Sequence, residues 1–401
     1  MTFKPVKYTD AKTFVADTKQ EFKDALGNKK GFAYISAGID STTCGKLAVE
    51  SVGEANFLGI LFEHGGMREG ECKNALPTLN RDCGILTIFR DYSEIFLERV
   101  IAAGPDSEDK RIYGISAAYF DLALEEAKKL GRVYWVQGTL EPDVIETTGS
   151  KLKTQHNVLL EKQKKRFKEA GVQVVEPLIL LRKNHVREVA RYLGLPAFVT
   201  ERQPFPGPGL YCRAVGQVTR DKMNKLREAD AVVMEDLERY TKDVAPEDFQ
   251  CFVALIDNKT SEFDIDGNYG ISIKGKPKVT EDKVTGMVEN QRAYNNLLLI
   301  DAPDDETPAL IDASERIVKE NLDRGIGRVA VLLSSRIDRD AEYIAVLRSI
   351  LTEDFTKAEV APIKHEDLDI ISRRLLRLVP DGIDQVYYDI TPKPPATIEF
   401  E

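Results

Sequence analysis

Short apolar runs alternate with longer amphipathic segments between residues 31 and 204. Apolar runs of about five residues, rich in β-branched and aromatic side chains, predict strands, whereas apolar positions spaced three or four residues apart predict helices. The predicted strands are Phe32–Ser36, Leu58–Phe62, Ile85–Phe89 and Val133–Gln137. The predicted helices are Thr42–Ser51, Arg68–Asp82, Ile115–Leu130 and Lys183–Leu193. Strands separated by helices of this length predict an α/β fold with a doubly wound parallel sheet.

Two further regions flank this alternation. An amphipathic helix is predicted at Ala11–Leu26, so residues 1–28 form a helical extension before a domain at residues 29–220. A helix from Arg220 to Lys242 follows that domain.

The pattern after this helix is β-β-α-β, and it occurs twice. The first series is Cys251–Ile256, Gly270–Lys274, a helix at Val284–Tyr294, and Leu297–Ile300. The second series is Val329–Leu333, Tyr343–Ile350, a helix at Leu368–Leu378, and Gln385–Ile390. Because both series contain Thr-Glu-Asp, at 280–282 and 352–354, the sequence favours a smaller, duplicated α+β domain at 221–401, with sub-modules at about 246–320 and 321–401.

Composition narrows the function classes. The 401 residues include 30% charged and 42% hydrophobic residues, which is typical of a soluble globular protein of two or three domains. The net charge of −10 argues against binding nucleic acid through phosphate contacts. No apolar run reaches the roughly 20 residues of a membrane span, and the five cysteines form no C-x-x-C pair. We therefore expect a cytoplasmic protein with neither a membrane nor a nucleic-acid partner, and no standard zinc or redox motif.

The loop Ser36–Ser41 carries the strongest chemical signal. It joins a predicted strand to a predicted helix, so its backbone N–H groups and those of the first helical turn converge on one point, where they can bind an anion. Ser36 and Ser41 add hydroxyl donors, and Asp40 supplies a carboxylate for a magnesium ion. The segment therefore predicts a phosphate site, and an ordinary strand–turn–helix corner is the weaker alternative when the segment is taken alone.

A Walker A loop does not fit this segment. Gly38 and Gly45 are too far apart for G-x-x-x-x-G-K-[ST], and Leu47 follows Lys46 where a hydroxyl is required. The arrangement S-x-G-x-D-S instead resembles the pyrophosphate loop of the ATP pyrophosphatases. That resemblance implies cleavage of ATP between its α- and β-phosphates.

Other polar segments follow predicted strands in the same way. Glu63–Glu69 and Gln137–Asp143 both lie at carboxyl ends of strands, where ligands bind to parallel sheets. A Lys- and Gln-rich segment at about 147–170 predicts a helical lid over such a site, or alternatively a plain solvated connection. Gln203–Leu210, with three prolines and two glycines, predicts a rigid loop.

Taken together, several motifs resemble the ATP pyrophosphatase and C-terminal dimerisation domains of the GMP synthetase family. The resemblance runs from about Lys12 to Glu401, and its most specific parts are the Pro-Phe-Pro-Gly-Pro-Gly-Leu loop and the Lys-Pro-Pro-Ala-Thr-Ile-Glu-Phe-Glu tail. It implies an adenine nucleotide alpha-hydrolase-like fold. It also implies that ATP and Mg²⁺ activate the C2 carbonyl of xanthosine monophosphate, after which ammonia displaces AMP to give GMP.

The resemblance assigns roles residue by residue. The implied catalytic residues are Asp40, Lys153 and His156. The implied ATP-binding residues are Ser36, Ala37, Gly38, Ile39, Asp40, Ser41, Glu63, Gln137, Gly138 and Thr139, and the implied magnesium ligands are Asp40 and Asp143. The implied ligands of the purine nucleoside monophosphate are Lys110, Arg111, Asp143, Asn157, Pro206, Gly207, Gly209, Arg213, Lys393, Thr397 and Glu399.

The family's fused form carries a glutaminase domain before the synthetase part. Only about 28 residues precede the first predicted strand here. We therefore expect ammonia to come from solution or from a separate glutaminase, with another ammonia or sulfur donor as the alternative. The C-terminal domain resembles a dimerisation domain, so a homodimer is one assembly that the sequence allows.

The sequence departs from the family pattern where chemistry is expected. Ala37 replaces the first glycine of the loop, and Gln155 replaces the first histidine of the lid pair. Glu63-His64 stands where the family has Asp followed by Asn or Thr, and Asn184-His185 replaces Asp-Glu. Glu141 stands where Tyr or Arg is usual. Two alternatives to GMP synthesis therefore stay open. One is a diverged paralogue that amidates or thiolates another purine nucleotide, and the other is a catalytically inactive nucleotide-binding partner.

Overall fold

The structure is a computed structural model. It describes residues 2–148, 161–201, 205–237, 249–265, 267, 269–289, 291–336, 341–352 and 356–401. The chain divides into two compact units. The N-terminal unit comprises Met1–Ala103 and Glu108–Gly207, and the C-terminal unit comprises Gly104–Ser107 and Pro208–Glu401. None of the helices in the described ranges is long and apolar enough to cross a membrane.

Strands and helices alternate up to residue 207. The strands are β1 (Gly31–Tyr34), β2 (Phe57–Glu63), β3 (Thr87–Asp91), β4 (Tyr134–Val136) and β5 (Gln173–Val175). The helices are α1 (Ala11–Leu26), α2 (Ile39–Val52), α3 (Glu71–Arg81), α4 (Ser93–Ala103), α5 (Ser107–Asp109), α6 (Ala117–Lys129), α7 (Glu141–Thr148), α8 (Glu161–Glu169), α9 (Lys183–Tyr192) and α10 (Ala197–Thr200). A π-helical segment, Lys110–Ser116, leads into α6.

The five strands form one parallel sheet with the order β3-β2-β1-β4-β5. Ala33 and Ile35 belong to a core with residues of α1, α2 and α9, whereas Phe32 and Tyr34 belong to a second core with residues of α6. Because consecutive side chains of a strand point to opposite faces, helices cover both sides of the sheet. The predicted doubly wound α/β fold is therefore confirmed.

Helix α1 shows how local sequence sets an element. Asp10 caps it by accepting a hydrogen bond from the Thr13 N–H, and Gly27, with a φ of 53°, ends it. Phe14 and Phe22 are fully buried on one face, which packs against α2 and α9 through the larger core. Its bounds coincide with those predicted from the amphipathic pattern.

The elements after residue 207 build the C-terminal unit. Its strands are β6 (Phe249–Asp257), β7 (Thr260–Glu262), β8 (Lys278–Val288), β9 (Gln291–Ile300), β10 (Ile326–Ser335), β11 (Tyr343–Leu351), β12 (Glu359–Val360) and β13 (Ile383–Asp389). Its α-helices are α11 (Arg220–Leu237), α12 (Thr307–Glu320) and α13 (His365–Leu378). Short 3-10 helices lie at Gly209–Arg213, Asp304–Glu306 and Leu322–Arg324.

These strands form one mixed sheet with two βαβ units. Strands β9 and β10 pair in parallel across the connection through α12, and β11 and β13 pair in parallel across the connection through α13. The two βαβ units meet where β10 and β13 pair antiparallel. Each βαβ unit is bordered by an antiparallel strand: β8 pairs with β9, and β6 pairs with β11. The predicted smaller second domain is thus built on a mixed sheet, whereas its duplication into sub-modules at about 246–320 and 321–401 stays a prediction.

Two predicted elements are wrong. Val284–Tyr294 is not a helix, because it spans the end of β8, a turn at Glu289 with a φ of 49°, and the start of β9. Residues such as Met287, Glu289 and Gln291 favour helices in isolation, but pairing with neighbouring strands overrides that preference. The helix of this βαβ unit is α12, and no strand forms at Gly270–Lys274 in the described residues.

Candidate active site

A cavity of the N-terminal unit opens where the strand order reverses. Strand β1 lies between β2 and β4, so the loops that follow β1 and β4 diverge to opposite sides and leave a crevice at the carboxyl edge of the sheet. Seven predicted ATP-binding residues line this cavity: Ser36, Gly38, Ile39, Asp40, Ser41, Gln137 and Gly138. The sheet topology thus brings two separately predicted loops to one site.

The loop after β1 is held by its own serines. The hydroxyl of Ser41 accepts a hydrogen bond from the Ser36 N–H at 3.1 Å and lies 3.1 Å from the Ser36 hydroxyl. Gly38 is the N-cap of α2 and provides no side-chain hydrogen bond to the first turn. The N–H groups of that turn therefore point towards the cavity end of the helix, where the positive end of its dipole favours an anion.

Ala37 takes a backbone conformation that favours glycine. Its φ is 58°, and its side chain is fully buried. This left-handed region costs an L-residue with a side chain roughly 1–2 kcal/mol. The loop therefore keeps the tight path of a glycine pair even though one glycine is replaced by alanine.

The carboxylate of Asp40 has a cationic partner. The ammonium of Lys183, the first residue of α9, donates to the two carboxylate oxygens at 2.9 Å and 2.7 Å. Both side chains are about one-third exposed, and both line the cavity, as does Arg187 one turn further along α9. Two cationic side chains therefore line the same cavity as the Ser36–Ser41 loop.

Magnesium fits the donors that are present. Asp40 and Asp143 both line the cavity, and Asp143 accepts a hydrogen bond from the Leu140 N–H at 3.0 Å. In the described residues no group of three or more His, Cys, Asp or Glu side chains is arranged to hold a metal. Mg²⁺ characteristically uses one or two carboxylates together with nucleotide phosphates, so these aspartates could hold it once a triphosphate is bound.

The loop after β4 contacts the start of α2 closely. A Cβ added to Gly138 would lie 3.1 Å from the Asp40 carbonyl carbon and 3.2 Å from the Ser41 nitrogen. Gln137 is 3% exposed, and neither polar atom of its side-chain amide has a hydrogen-bond partner in the described residues. Because a buried amide without partners is costly, this side chain is suited to bind a ligand in the cavity.

Thr139 and Glu176 support this loop from behind. The Thr139 hydroxyl donates to the Glu176 carboxylate at 2.7 Å. Burial raises the pKa of Glu176 above its usual value, and the Thr139 hydrogen bond only partly opposes that effect. Thr139 therefore holds the loop in position, and it does not line the cavity that the described residues form.

Aromatic side chains line another wall of the cavity. Phe62 contacts Tyr34, with ring centroids 4.6 Å apart, and Phe96, at 5.9 Å. Tyr119 lies 5.3 Å from Tyr34, and all four rings line the cavity. An aromatic wall in the same cavity as the Ser36–Ser41 loop would suit a ligand with a planar base at one end and phosphates at the other.

The remaining predicted residues of this unit fall into two groups. Pro206 and Gly207 line the cavity together with Asp143. Glu63 instead accepts a hydrogen bond from the Gly65 N–H, Lys110 is buried in the π-helical segment, and Arg111 pairs with Glu108. The last three lie outside the cavity formed by the described residues.

Predicted nucleotide ligands also occur in the C-terminal unit, where two of them bind each other. The buried guanidinium of Arg213 donates two hydrogen bonds of 3.0 Å to Glu399 and also pairs with Asp230. Burial alone would lower the pKa of Arg213, but the charge and hydrogen bonds of Glu399 together with the charge of Asp230 outweigh burial and raise that pKa. Gly209 opens the 3-10 turn that carries Arg213.

The last residues of the chain run along the mixed sheet of this unit. The backbone of Lys393 exchanges hydrogen bonds of 2.8 Å and 3.0 Å with Ala358. The Thr397 hydroxyl lies 2.6 Å from that of Thr285. Lys153, His156 and Asn157, predicted for the lid, lie outside the described residues, so their roles stay predictions.

Known proteins match this chain over nearly its whole length. A subunit of the glutamine-hydrolysing GMP synthase from Saccharolobus islandicus is 33% identical over 399 residues, covering 98% of this chain and 100% of that relative. The chain belongs to the GMP synthase family. The corresponding subunit of Methanopyrus kandleri is 30% identical and covers 98% of this chain and 99% of its own length. The family model for the GMP synthase C-terminal domain matches residues 316–400.

Solved structures match less closely. NMN synthetase from Francisella tularensis has a TM-score of 0.40 and 14% identity, covering 50% of this chain and 78% of that one. Membership of the GMP synthase family rests on the sequence relatives, and it confirms the resemblance drawn from the motifs and the prediction of a ligase of the ATP pyrophosphatase type.

Sequence patterns did not reveal Lys183, Arg187 or the aromatic wall of this GMP synthase family member. One local signal for Lys183 exists, since a lysine in the first turn of a helix opposes the helix dipole and needs a nearby anion. That anion is Asp40, 143 residues earlier in the chain. No comparable signal marks the aromatic residues Tyr34, Phe62, Phe96 and Tyr119, whose sequence positions are typical of an ordinary core.

Proposed function

We propose that this chain is the synthetase subunit of a GMP synthase. It binds ATP and Mg²⁺, activates the C2 carbonyl of xanthosine monophosphate by adenylation, and lets ammonia displace AMP to form GMP. The observation that carries this proposal is the Ser36–Ser41 loop at the switch point of the sheet, with Asp40 and Lys183 beside it. Relatives named as subunits of glutamine-hydrolysing GMP synthases, matched over their full length, support it.

The chemistry divides into two balanced steps. The carbonyl oxygen of the nucleotide attacks the α-phosphorus of ATP, and the bond to the β,γ-pyrophosphate breaks. Ammonia then attacks C2 and loses a proton, and AMP leaves with the former carbonyl oxygen. Magnesium would neutralise charge on the phosphates, which makes pyrophosphate a better leaving group.

Protein groups supply the rest of that stabilisation. The N–H groups of the first turn of α2 would bind the pyrophosphate, and Lys183 and Arg187 would add positive charge. The unpartnered amide of Gln137 and the rings of Tyr34 and Phe62 would hold a planar base. Lys183, Arg187, Gln137 and the two rings line one cavity, which supports this assignment.

The acceptor nucleotide would be recognised through the predicted residues of the rigid loop and the tail. Lys393 would bind its phosphate, Thr397 and Glu399 its other polar groups, and Lys153, His156 and Asn157 would act from the lid. A separate cytoplasmic glutaminase subunit would deliver the ammonia, which agrees with the description of the relatives as subunits of a glutamine-hydrolysing enzyme.

The direct test is product analysis. The chain is incubated with ATP, Mg²⁺, xanthosine monophosphate and ammonium, and GMP, AMP and pyrophosphate are quantified by chromatography. Equal amounts of the three products support the proposal, and Asp40→Asn should abolish all three. Absence of both GMP and AMP would contradict it, and product formed only from another purine nucleotide or only with sulfide would show a diverged paralogue.

A further inference from the structure

Two arginines of the C-terminal unit are completely buried on strands of the same sheet. Arg328 lies on β10 and Arg348 on β11, and β13 runs between those strands. Each donates from its Nη1 atom to the same carboxylate oxygen of Asp389, at 2.8 Å. Asp389 ends β13, so the three side chains form a row across the sheet just where the C-terminal segment 390–401 begins.

Apart from the Nε of Arg328, which donates to the Thr285 carbonyl of β8 at 2.8 Å, the remaining donors of both arginines bind the main chain of that segment. Arg348 donates to the carbonyls of Thr391 at 2.9 Å, Thr397 at 2.9 Å and Ile398 at 2.9 Å. Arg328 donates to the carbonyls of Thr397 at 3.0 Å and Glu399 at 2.5 Å. Because these contacts are to carbonyl oxygens, they fix the path of the segment whatever its side chains bind.

The charge balance shows how strongly this arrangement depends on its partners. Burial alone would raise the pKa of Asp389, but the charges of Arg348 and Arg328 lower it. Burial, and then the charge of Arg348, lowers the pKa of Arg328 to about 10. One carboxylate offsets one of two buried cations, and the carbonyl dipoles of the segment stabilise the other.

Only arginine can make this set of contacts. A guanidinium has five N–H donors in a rigid plane, and Arg348 uses its plane to reach Asp389 and three carbonyls at once. A lysine has three donors on a single atom, so it cannot span acceptors this widely separated. A change to lysine therefore keeps the charge but releases part of the segment.

We infer that Arg328 and Arg348 are positioning residues that clamp the main chain of residues 390–401, so that Lys393 is held ready for the acceptor nucleotide. The clamp rests on the geometry alone, whereas its effect on the nucleotide rests on the proposed function. It should therefore act on the binding of xanthosine monophosphate and leave the binding of ATP unchanged.

The test compares Arg348→Lys with a matched control, Arg374→Lys. Arg374 lies on α13 and pairs with Glu235 and Asp236 of α11, so its partners belong to a helix rather than to the C-terminal segment. For Arg348→Lys we expect at least a tenfold rise in the KM for xanthosine monophosphate, a KM for ATP within twofold of wild type, and at least tenfold faster release of C-terminal residues by carboxypeptidase. Arg374→Lys should match the wild type in all three.

The outcomes separate the clamp from the proposed function. A folded Arg348→Lys protein with wild-type release and wild-type KM values overturns the clamp. If that variant does not fold, the test uses the wild-type chain instead. Carboxypeptidase should then digest residues 390–401 of the wild type at least a hundredfold more slowly than it digests a synthetic peptide of the same residues. Digestion at the rate of the peptide overturns the clamp, whereas failure of the wild type to bind xanthosine monophosphate counts against the proposed function alone.

Discussion

The ammonium of Lys183 lies within 3 Å of both carboxylate oxygens of Asp40, at 2.7 Å and 2.9 Å. Asp40 is the second residue of α2 and Lys183 is the first residue of α9. Both residues line the cavity. The pair places a cation on the carboxylate that would hold magnesium. Under the proposed function, the ammonium would move from this carboxylate to the phosphate oxygens when a triphosphate binds.

Replacement of Lys183 should therefore impair the use of ATP. We expect Lys183→Met to lower kcat/KM for ATP by about 100-fold, since loss of one donor that stabilises developing charge typically costs about 10²–10³ in rate. The measurement is pyrophosphate release at saturating xanthosine monophosphate and ammonium.

A lysine of the same unit supplies the control for that variant. Lys46 pairs with Glu50 on α2 at 3.1 Å, and Lys46→Met should keep kcat/KM within about twofold, because partly exposed ion pairs contribute at most about 1 kcal/mol. If Lys183→Met, with an unchanged melting temperature, behaved like Lys46→Met, the proposed role of Lys183 would be wrong.

Gly138 should tolerate no larger residue. A Cβ there would press on the backbone of Asp40 and Ser41 at 3.1–3.2 Å, so Gly138→Ala must displace the Ser36–Ser41 loop at a cost of about 1–3 kcal/mol. We expect a lower melting temperature and about tenfold weaker ATP binding by calorimetry. Gly382→Ala is the control, because its Cβ would meet only the flexible side chain of Lys225; equal effects of the two changes would contradict this account.

Glu176→Gln should stabilise the protein in a pH-dependent way. Because burial raises the pKa of Glu176 in the folded state, the carboxyl group favours folding below its unfolded pKa and loses that contribution as pH rises through the folded value. Glutamine can still accept the Thr139 hydrogen bond. Thermal unfolding should thus show the variant above the wild type at pH 8, with the difference shrinking as pH falls through the folded pKa and lost below about pH 4.5; a constant or reversed difference would refute the assignment.

Arg213 and Glu399 should be strongly coupled. Removing one partner of a buried ion pair typically costs about 3–5 kcal/mol, so Arg213→Met should destabilise the C-terminal unit by that order. Glu399→Gln should cost less, because Arg213 keeps Asp230. A double-mutant cycle in urea measures the coupling. The exposed pair Arg373–Asp369 is the reference and should show about 0.3–0.5 kcal/mol; a coupling no larger than this would contradict the buried pairing.

The N-terminal unit was the more predictable one, because its chemistry follows its strand ends. Apolar runs predicted four of its strands, and parallel pairing brings the ends of β1 and β4 together, so Asp40 and Gln137 could be assigned to one site from sequence. Lys183 could not, since its contact with Asp40 depends on how α9 packs against α2.

The C-terminal unit was harder to predict because pairing partners decide its structure. The segment around Glu289 contains helix-favouring residues, yet it forms a hairpin between β8 and β9. Likewise, Arg328 and Arg348 look like ordinary charged strand residues, and only the closure of β13 between β10 and β11 buries them. Tertiary contacts far apart in sequence override local preference in both cases.

The most direct measurement of the central claim follows one oxygen atom. Xanthosine monophosphate labelled with ¹⁸O at the C2 carbonyl is converted in the presence of ATP, Mg²⁺ and ammonium, and the AMP formed is analysed by mass spectrometry. Adenylation of that carbonyl predicts one ¹⁸O atom in the phosphate of AMP for each GMP made. AMP without the label, or formation of ADP instead of AMP, would contradict the account.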